Sequence, residues 1–110
     1  MISTDCYLAV LKKFKEEHPD AHFEIVTRTA KSPLSPSWNL LERMKAESMD
    51  FSIYKILLLN EIAHNDQAIR RLKQLCQISK EKDVYVVCYE QDASKCHRSI
   101  IKELIEQNNV

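Results

Sequence analysis

Apolar residues recur along this chain with two different periods. In residues 3–18, Cys6, Tyr7, Val10, Leu11 and Phe14 share one face at helical spacing, with Ser3 or Thr4 placed to cap the start and Pro19 to end it. The stretch HFEIVTRT (22–29) changes to a period of two: Phe23, Ile25 and Thr27 alternate with Glu24, Val26 and Arg28, which predicts a strand. Pro33 and Pro36 then impose an extended loop, and Ser37 can cap a helix whose stripe is Leu40, Leu41 and Met44. Residues 51–64 are ambiguous. Phe51, Tyr54, Leu58 and Ile62 follow a helical period, and helix is preferred, but the run IYKILLL leaves a strand open. Asn65 caps a longer helix that turns Ala68, Ile69, Leu72, Leu75, Cys76 and Ile78 to the core. VYVVCY is continuously apolar and β-branched, as a strand buried on both faces must be. Asp92 or Ser94 then opens a last helix, burying Ile100, Ile101, Leu104 and Ile105.

Helices between strands imply parallel pairing. The expectation is one small α/β domain over residues 1–110, three-layer-like, with a short parallel sheet of two to four strands flanked by helices. IYKILLL is the candidate for a third strand. At 110 residues the chain can bury one core but not two.

Composition narrows the chemistry. Sixteen basic residues balance sixteen acidic ones, which argues against a general nucleic-acid coat. The N-terminal segment lacks a signal-peptide pattern, and the longest apolar run, Ile56 to Leu59, is too short for a bilayer, so a cytoplasmic protein without membrane contact is expected. Four cysteines in that setting read as reduced thiols, with Cys6 and Cys76 as core fillers. There is no glycine at all. That excludes a Walker loop, a dinucleotide fingerprint and a G-x-S-x-G elbow, and leaves any anion to side chains and helix N-termini. Left-handed helix caps must fall to Asn, His or Lys.

Sites in open α/β sheets form beyond the carboxyl ends of the strands. Arg28 closes the first predicted strand, Cys88 and Glu90 close the last, and Cys96, His97 and Arg98 open the final helix, with Ser35 and Ser37 in the loop beside Arg28. Three readings compete. Two arginines and a helix N-terminus suit an anion, and a cysteine facing them becomes a thiolate nucleophile. The logic is similar to that of cysteine phosphatases and rhodaneses, but Cys88 to Arg98 is too long for a C-x(5)-R cradle. Zinc is the second reading. Adjacent helical positions lie about 100° apart, so Cys96 and His97 should not share an ion, and no metal is expected. In the third, the cluster ties a turn, with Glu90 paired to an arginine.

The stretch VVCYEQDASKCHRSIIKEL resembles the C-terminal hallmark of the domain-of-unknown-function 488 family, C-x-E-x(5)-C-H-R. VTRTAKSPLSPSWNLL is similar to that family's strand ending in arginine with a proline–serine loop, and MDFSIYKILLLNEI to its tyrosine-bearing helix. Ala93 departs from the family's usual proline-like position. The resemblance covers residues 22–106, implies a small α/β domain with no agreed activity, strengthens helix over strand for 51–64 and adds Tyr54 to the site. The expected set is then Cys88 and Cys96 as catalytic thiols, with Arg28, Ser37, Tyr54, Glu90, His97 and Arg98 around a ligand. That ligand is a small anion or a nucleic-acid end, with no cofactor. The rival is a non-catalytic adaptor whose cluster is structural. His18, His22 and His64, and the basic run at 69–73, are expected to face solvent, and Trp38 to be core or cleft wall.

Overall fold

In the computed structural model, which describes residues 1–47, 49–89 and 96–107, the run VYVV forms the middle of a three-stranded parallel sheet. The strands are β1 (Ile2–Ser3), β2 (His22–Ile25) and β3 (Val84–Val87), in the order β1-β3-β2. β2 pairs with β3 from His22↔Val84 to Ile25↔Val87, and β1 pairs through Ile2↔Val84 and Ser3↔Tyr85. A 3-10 turn (Leu8–Val10) runs into α1 (Leu11–Glu17). After β2 come α2 (Trp38–Glu47), α3 (Phe51–Ala63) and α4 (Asp66–Glu81), and α5 (His97–Gln107) follows β3.

Alternation along β3 divides the core. Val84 and Val86 join Leu58, Leu75, Ile100, Ile101 and Ile105 on the face covered by α3, α4 and α5. Tyr85 and Val87 join Cys6 on the other face, beneath Leu8, Leu11, Phe14 and Phe23. Helices on both faces of a parallel sheet make this an α/β fold, and they are why all four β3 residues are buried. No described helix is long and apolar enough to cross a membrane.

The third strand is not IYKILLL, which lies within α3, but Ile2–Ser3 at the N-terminus. Two residues are too few to show a period, and their pairing is completed by the Val84 amide donating to the Met1 carbonyl at 2.9 Å. With Ser3 in the sheet, the first helix cannot start there. Cys6, fully buried, packs on Tyr85 and Val87 instead of lying on a helical face, and the helical turns begin at Leu8. β2 also stops early, at Ile25 rather than Thr29. Thr27 Oγ1 accepts from the Ala30 amide and the Arg28 carbonyl from the Lys31 amide, closing a turn. Lys31, at φ 56°, is the one positive-φ residue among those described. The helix C-caps do fall to His18, His64 and Lys82, but at negative φ. Asn65 and Ser37 cap α4 and α2 as expected, accepting from Gln67 and Ala68 and from Leu40. Asp92, Ser94 and Ala93 lie outside the described residues.

One ion pair staples β2 to α4. Glu24, nearly buried, accepts from Arg71 Nε at Oε2, 2.7 Å away, and from Arg71 Nη2 at Oε1, and His22 Nε2 lies 2.9 Å from the same Oε1. His22 and Arg71 are therefore half-buried rather than solvent-facing, whereas His18, His64, Arg70 and Lys73 are exposed. Burial by itself would raise the Glu24 carboxyl, yet hydrogen bonds and charge from Arg71 and His22 hold it below its usual range. A depressed carboxylate stabilises the fold above its unfolded value of about 4.3 and loses that contribution as pH falls through the lower folded value. Arg71→Ala, which strands the buried Glu24 charge, is expected to cost about 3 kcal/mol in urea melts at neutral pH. The deficit against wild type should shrink progressively as pH falls below the unfolded value of about 4.3 and the carboxylate is protonated; a deficit unchanged by acid would refute the assignment.

Candidate functional site

The carboxyl ends of β2 and β3 stop side by side, and the chain is pinned just beyond both. The Val26 amide donates to the Val87 carbonyl at 2.9 Å, and the Cys88 carbonyl accepts from the Leu8 amide at 2.9 Å. A cavity of about 390 Å³ opens there, walled by Thr27 and Arg28 after β2, Trp38, Leu41 and Met44 of α2, Tyr54 of α3, and Cys88, Tyr89, Cys96 and His97. This is the strand-end position at which α/β sheets hold ligands.

His97 organises its floor. Nε2 lies 2.6 Å from the Val26 carbonyl oxygen. A carbonyl only accepts, so Nε2 carries the hydrogen and Nδ1 is left to face inward. Nδ1 is 3.9 Å from Cys88 Sγ and 3.8 Å from Cys96 Sγ. All three side chains are buried, and their ligand-type atoms lie within 4.8 Å of one another. The two thiols divide their roles. Cys88 is driven far below the usual thiol range, first by the hydrogen bond from Cys96, then by His97 and the Tyr89 amide, against the opposing effect of burial. Cys96 is pushed up, because it serves as donor to Cys88 and is itself buried.

Arg28 stands half-buried at the rim, its Cζ 5.7 Å from the centre of the Trp38 ring. Among the described residues no carboxylate pairs with it. Tyr54 is 3% exposed, and burial, with the acidic groups of the two cysteines and Glu61 nearby, raises its hydroxyl so that it stays a neutral donor on the wall. Thr29 Oγ1 and Tyr89 Oη meet at 2.9 Å, joining the β2 and β3 extensions.

Two expected members stand elsewhere. Ser37 is committed to Glu61: its amide donates to Oε1 at 2.9 Å and its hydroxyl to Oε2 at 2.6 Å. It faces a neighbouring polar cavity of about 400 Å³ that, among the described residues, shares only Arg28 with the first. Arg98 is fully buried and does not line the cavity. Its positive charge and its backbone amide both favour a thiolate at Cys96. Glu90 lies outside the described residues. Cys96 precedes α5 rather than lying in it, so the helical angle between it and His97 does not apply, and sulfur and ring nitrogen come together. The Val26 carbonyl and the Thr29–Tyr89 contact were missing from the expected set. The first is a backbone group with no side-chain signal, and the second joins hydroxyls 60 residues apart, which no local pattern pairs.

Fold and site define a small parallel α/β protein with a thiol–imidazole cluster at its strand ends. A family model described as the active DUF488-N3 subclade matches residues 11–109, so the chain belongs to the DUF488 family. No curated protein and no solved structure matches it.

The geometry sets an order of reactivity. In reduced, chelator-treated protein, Cys88 is expected to alkylate with iodoacetamide at about pH 6, well below the ordinary thiol range near 8.5. Cys6 and Cys76, which burial pushes up, should stay unlabelled. His97→Gln removes the Nδ1 partner and should move the Cys88 midpoint upward by about one unit or more. Peptide mapping across the pH range reads both; equal labelling of all four cysteines would contradict the assignment.

Proposed function

We propose that the cavity binds a small anionic ligand, a phosphate or carboxylate, with Arg28 supplying the charge and the Cys88–His97 pair forming the reactive end. The observation that carries this reading is the commitment of His97 Nε2 to Val26, which turns Nδ1 toward Cys88 beneath a cavity whose rim holds Arg28. Guanidinium groups suit planar or tetrahedral oxyanions because their donors are arrayed as a fork. Stacking against Trp38 holds the Arg28 fork at the mouth instead of leaving it to solvent. Tyr54 adds a neutral donor, and the apolar wall of Leu41 and Met44 excludes water from the same space.

Cysteine-dependent chemistry follows from the floor of the cavity. A proton leaving the Cys88 thiol has Nδ1 as its acceptor, giving a thiolate beside an imidazolium held in place by Val26. The family description names an active subclade, which supports a site that does more than hold the fold together. The adaptor reading requires both Arg28 and Arg98 to be paired with carboxylates, with Glu90, which lies outside the described residues, as the expected partner. Glu24 serves Arg71 and Glu61 serves Ser37, and no described carboxylate serves Arg28.

Arg28→Ala is expected to weaken binding of inorganic phosphate or a phosphorylated probe by about 10- to 100-fold, the range of one charge-assisted contact. Arg28→Lys should recover part of it. Calorimetric titration at two salt concentrations reads the effect. Unchanged affinity in Arg28→Ala, or no anion bound by wild type, would defeat the proposal and favour a non-catalytic interaction module.

A further inference from the structure

A thiol–imidazole pair explains Cys88 and His97 but leaves Cys96 only as a hydrogen-bond donor to Cys88, although its sulfur also faces the imidazole. Cys96 Sγ approaches the same Nδ1 as closely as Cys88 does, at 3.8 against 3.9 Å. Three donor atoms around one point call for something at that point. We propose that Cys88, Cys96 and His97 form a divalent metal site of zinc type, with its fourth position open to the cavity.

The distances fit. A tetrahedral ion at about 2.3 Å from sulfur and about 2.0–2.1 Å from imidazole nitrogen sets a sulfur-to-nitrogen edge of about 3.6 Å. The observed edges of 3.9 and 3.8 Å need only a slight contraction. Orientation fits as well. A metal-bound histidine typically donates its other ring nitrogen to a carbonyl or carboxylate, which sets the tautomer and aims the lone pair. His97 does this through Nε2 to Val26, 71 residues away in sequence. Two thiolates and one imidazole select a borderline-soft ion such as zinc over magnesium or calcium, which prefer oxygen. Charge balances too: two thiolates neutralise one divalent ion, so the buried site need hold no net charge. All three ligands line the cavity, and three protein ligands with an accessible fourth position is the pattern of a reactive centre, not of a closed structural one.

The inference deepens the reading above, since it shares that site and would let the anion held by Arg28 take the fourth position. The two can nonetheless fail separately. Full-length, reduced, chelator-treated protein would be titrated with Co²⁺ and then with Zn²⁺. One Co²⁺ per chain is expected, with intense thiolate-to-cobalt charge-transfer absorption and the visible bands of a tetrahedral ion, all removed by Zn²⁺. Cys88→Ser and Cys96→Ser should each weaken binding by about 100-fold or more. Cys76→Ser, whose thiol bonds the Ile105 carbonyl on a different part of the core, should change nothing. Inorganic phosphate should shift the visible bands in wild type but not in Arg28→Ala. Folded wild type that takes up no Co²⁺, or shows no thiolate charge transfer, overturns the metal site without recourse to any variant. So does undiminished affinity in Cys96→Ser, the result a simple Cys88 nucleophile predicts. Charge transfer without any phosphate response keeps the metal and removes the anion.

Discussion

The hydrogen bond from His97 Nε2 to the Val26 carbonyl is the contact on which the site depends. Val26 is one residue past the last ladder pair of β2, where its amide still reaches Val87 but its carbonyl has no further strand residue to meet. A buried carbonyl must find a donor. The imidazole takes that place, so a backbone need at the end of a strand determines which nitrogen of His97 is left for chemistry. Removing the ring would leave the carbonyl unsatisfied and the two thiols without a common neighbour. The fold and the proposed reactivity therefore share one bond.

The absence of glycine explains why the site is built this way. Glycine-rich folds of this class bring backbone amides up to an oxyanion at a helix N-terminus. Here the N-terminus of α2 is already satisfied by the protein's own carboxylate, Glu61, which accepts from both the amide and the hydroxyl of Ser37. The turn after β2 must place Lys31 at a φ of 56° to bend at all, a conformation with a steric penalty for any side chain. The recognition proposed above is left to side chains that line the cavity: Arg28 over Trp38, Tyr54, and the sulfur–imidazole floor.

Much of this was legible in the sequence, and the exceptions have physical causes. The central strand could be read because a run covered on both faces must be apolar at every position. The capping roles of Ser37 and Asn65 could be read because few side chains satisfy helix amides. The convergence of Arg28, Cys88, Cys96 and His97 followed from strand-end topology alone. Ile2–Ser3 escaped because two residues carry no period, and this in turn misplaced the start of the first helix and the position of Cys6. Ser37 was recognised as a cap, but its carboxylate partner 24 residues away has no local signature. Arg98 was assigned to the ligand as a guanidinium at the start of the last helix; its side chain is instead fully buried, and its charge and backbone amide act on Cys96. The objection to a shared ion rested on helical geometry, which fails because Cys96 sits one residue before the helix begins.

Arg98 links the two readings of the site. A fully buried guanidinium is tolerated where negative charge lies close by, and its field favours thiolate at both Cys96 and Cys6. At Cys6, with no imidazole nearby, burial outweighs that field and the thiol stays protonated. At the Cys88–Cys96 pair the imidazole adds to it, and one sulfur ionises. A divalent ion would hold both sulfurs as thiolates and cancel their charge, so that no bare thiolate at the floor opposes an anion held by Arg28. An anion entering past Trp38 would then meet attraction at the rim and an open coordination position at the floor. Loading the metal should therefore tighten anion binding, and by linkage the anion should tighten the metal by the same factor.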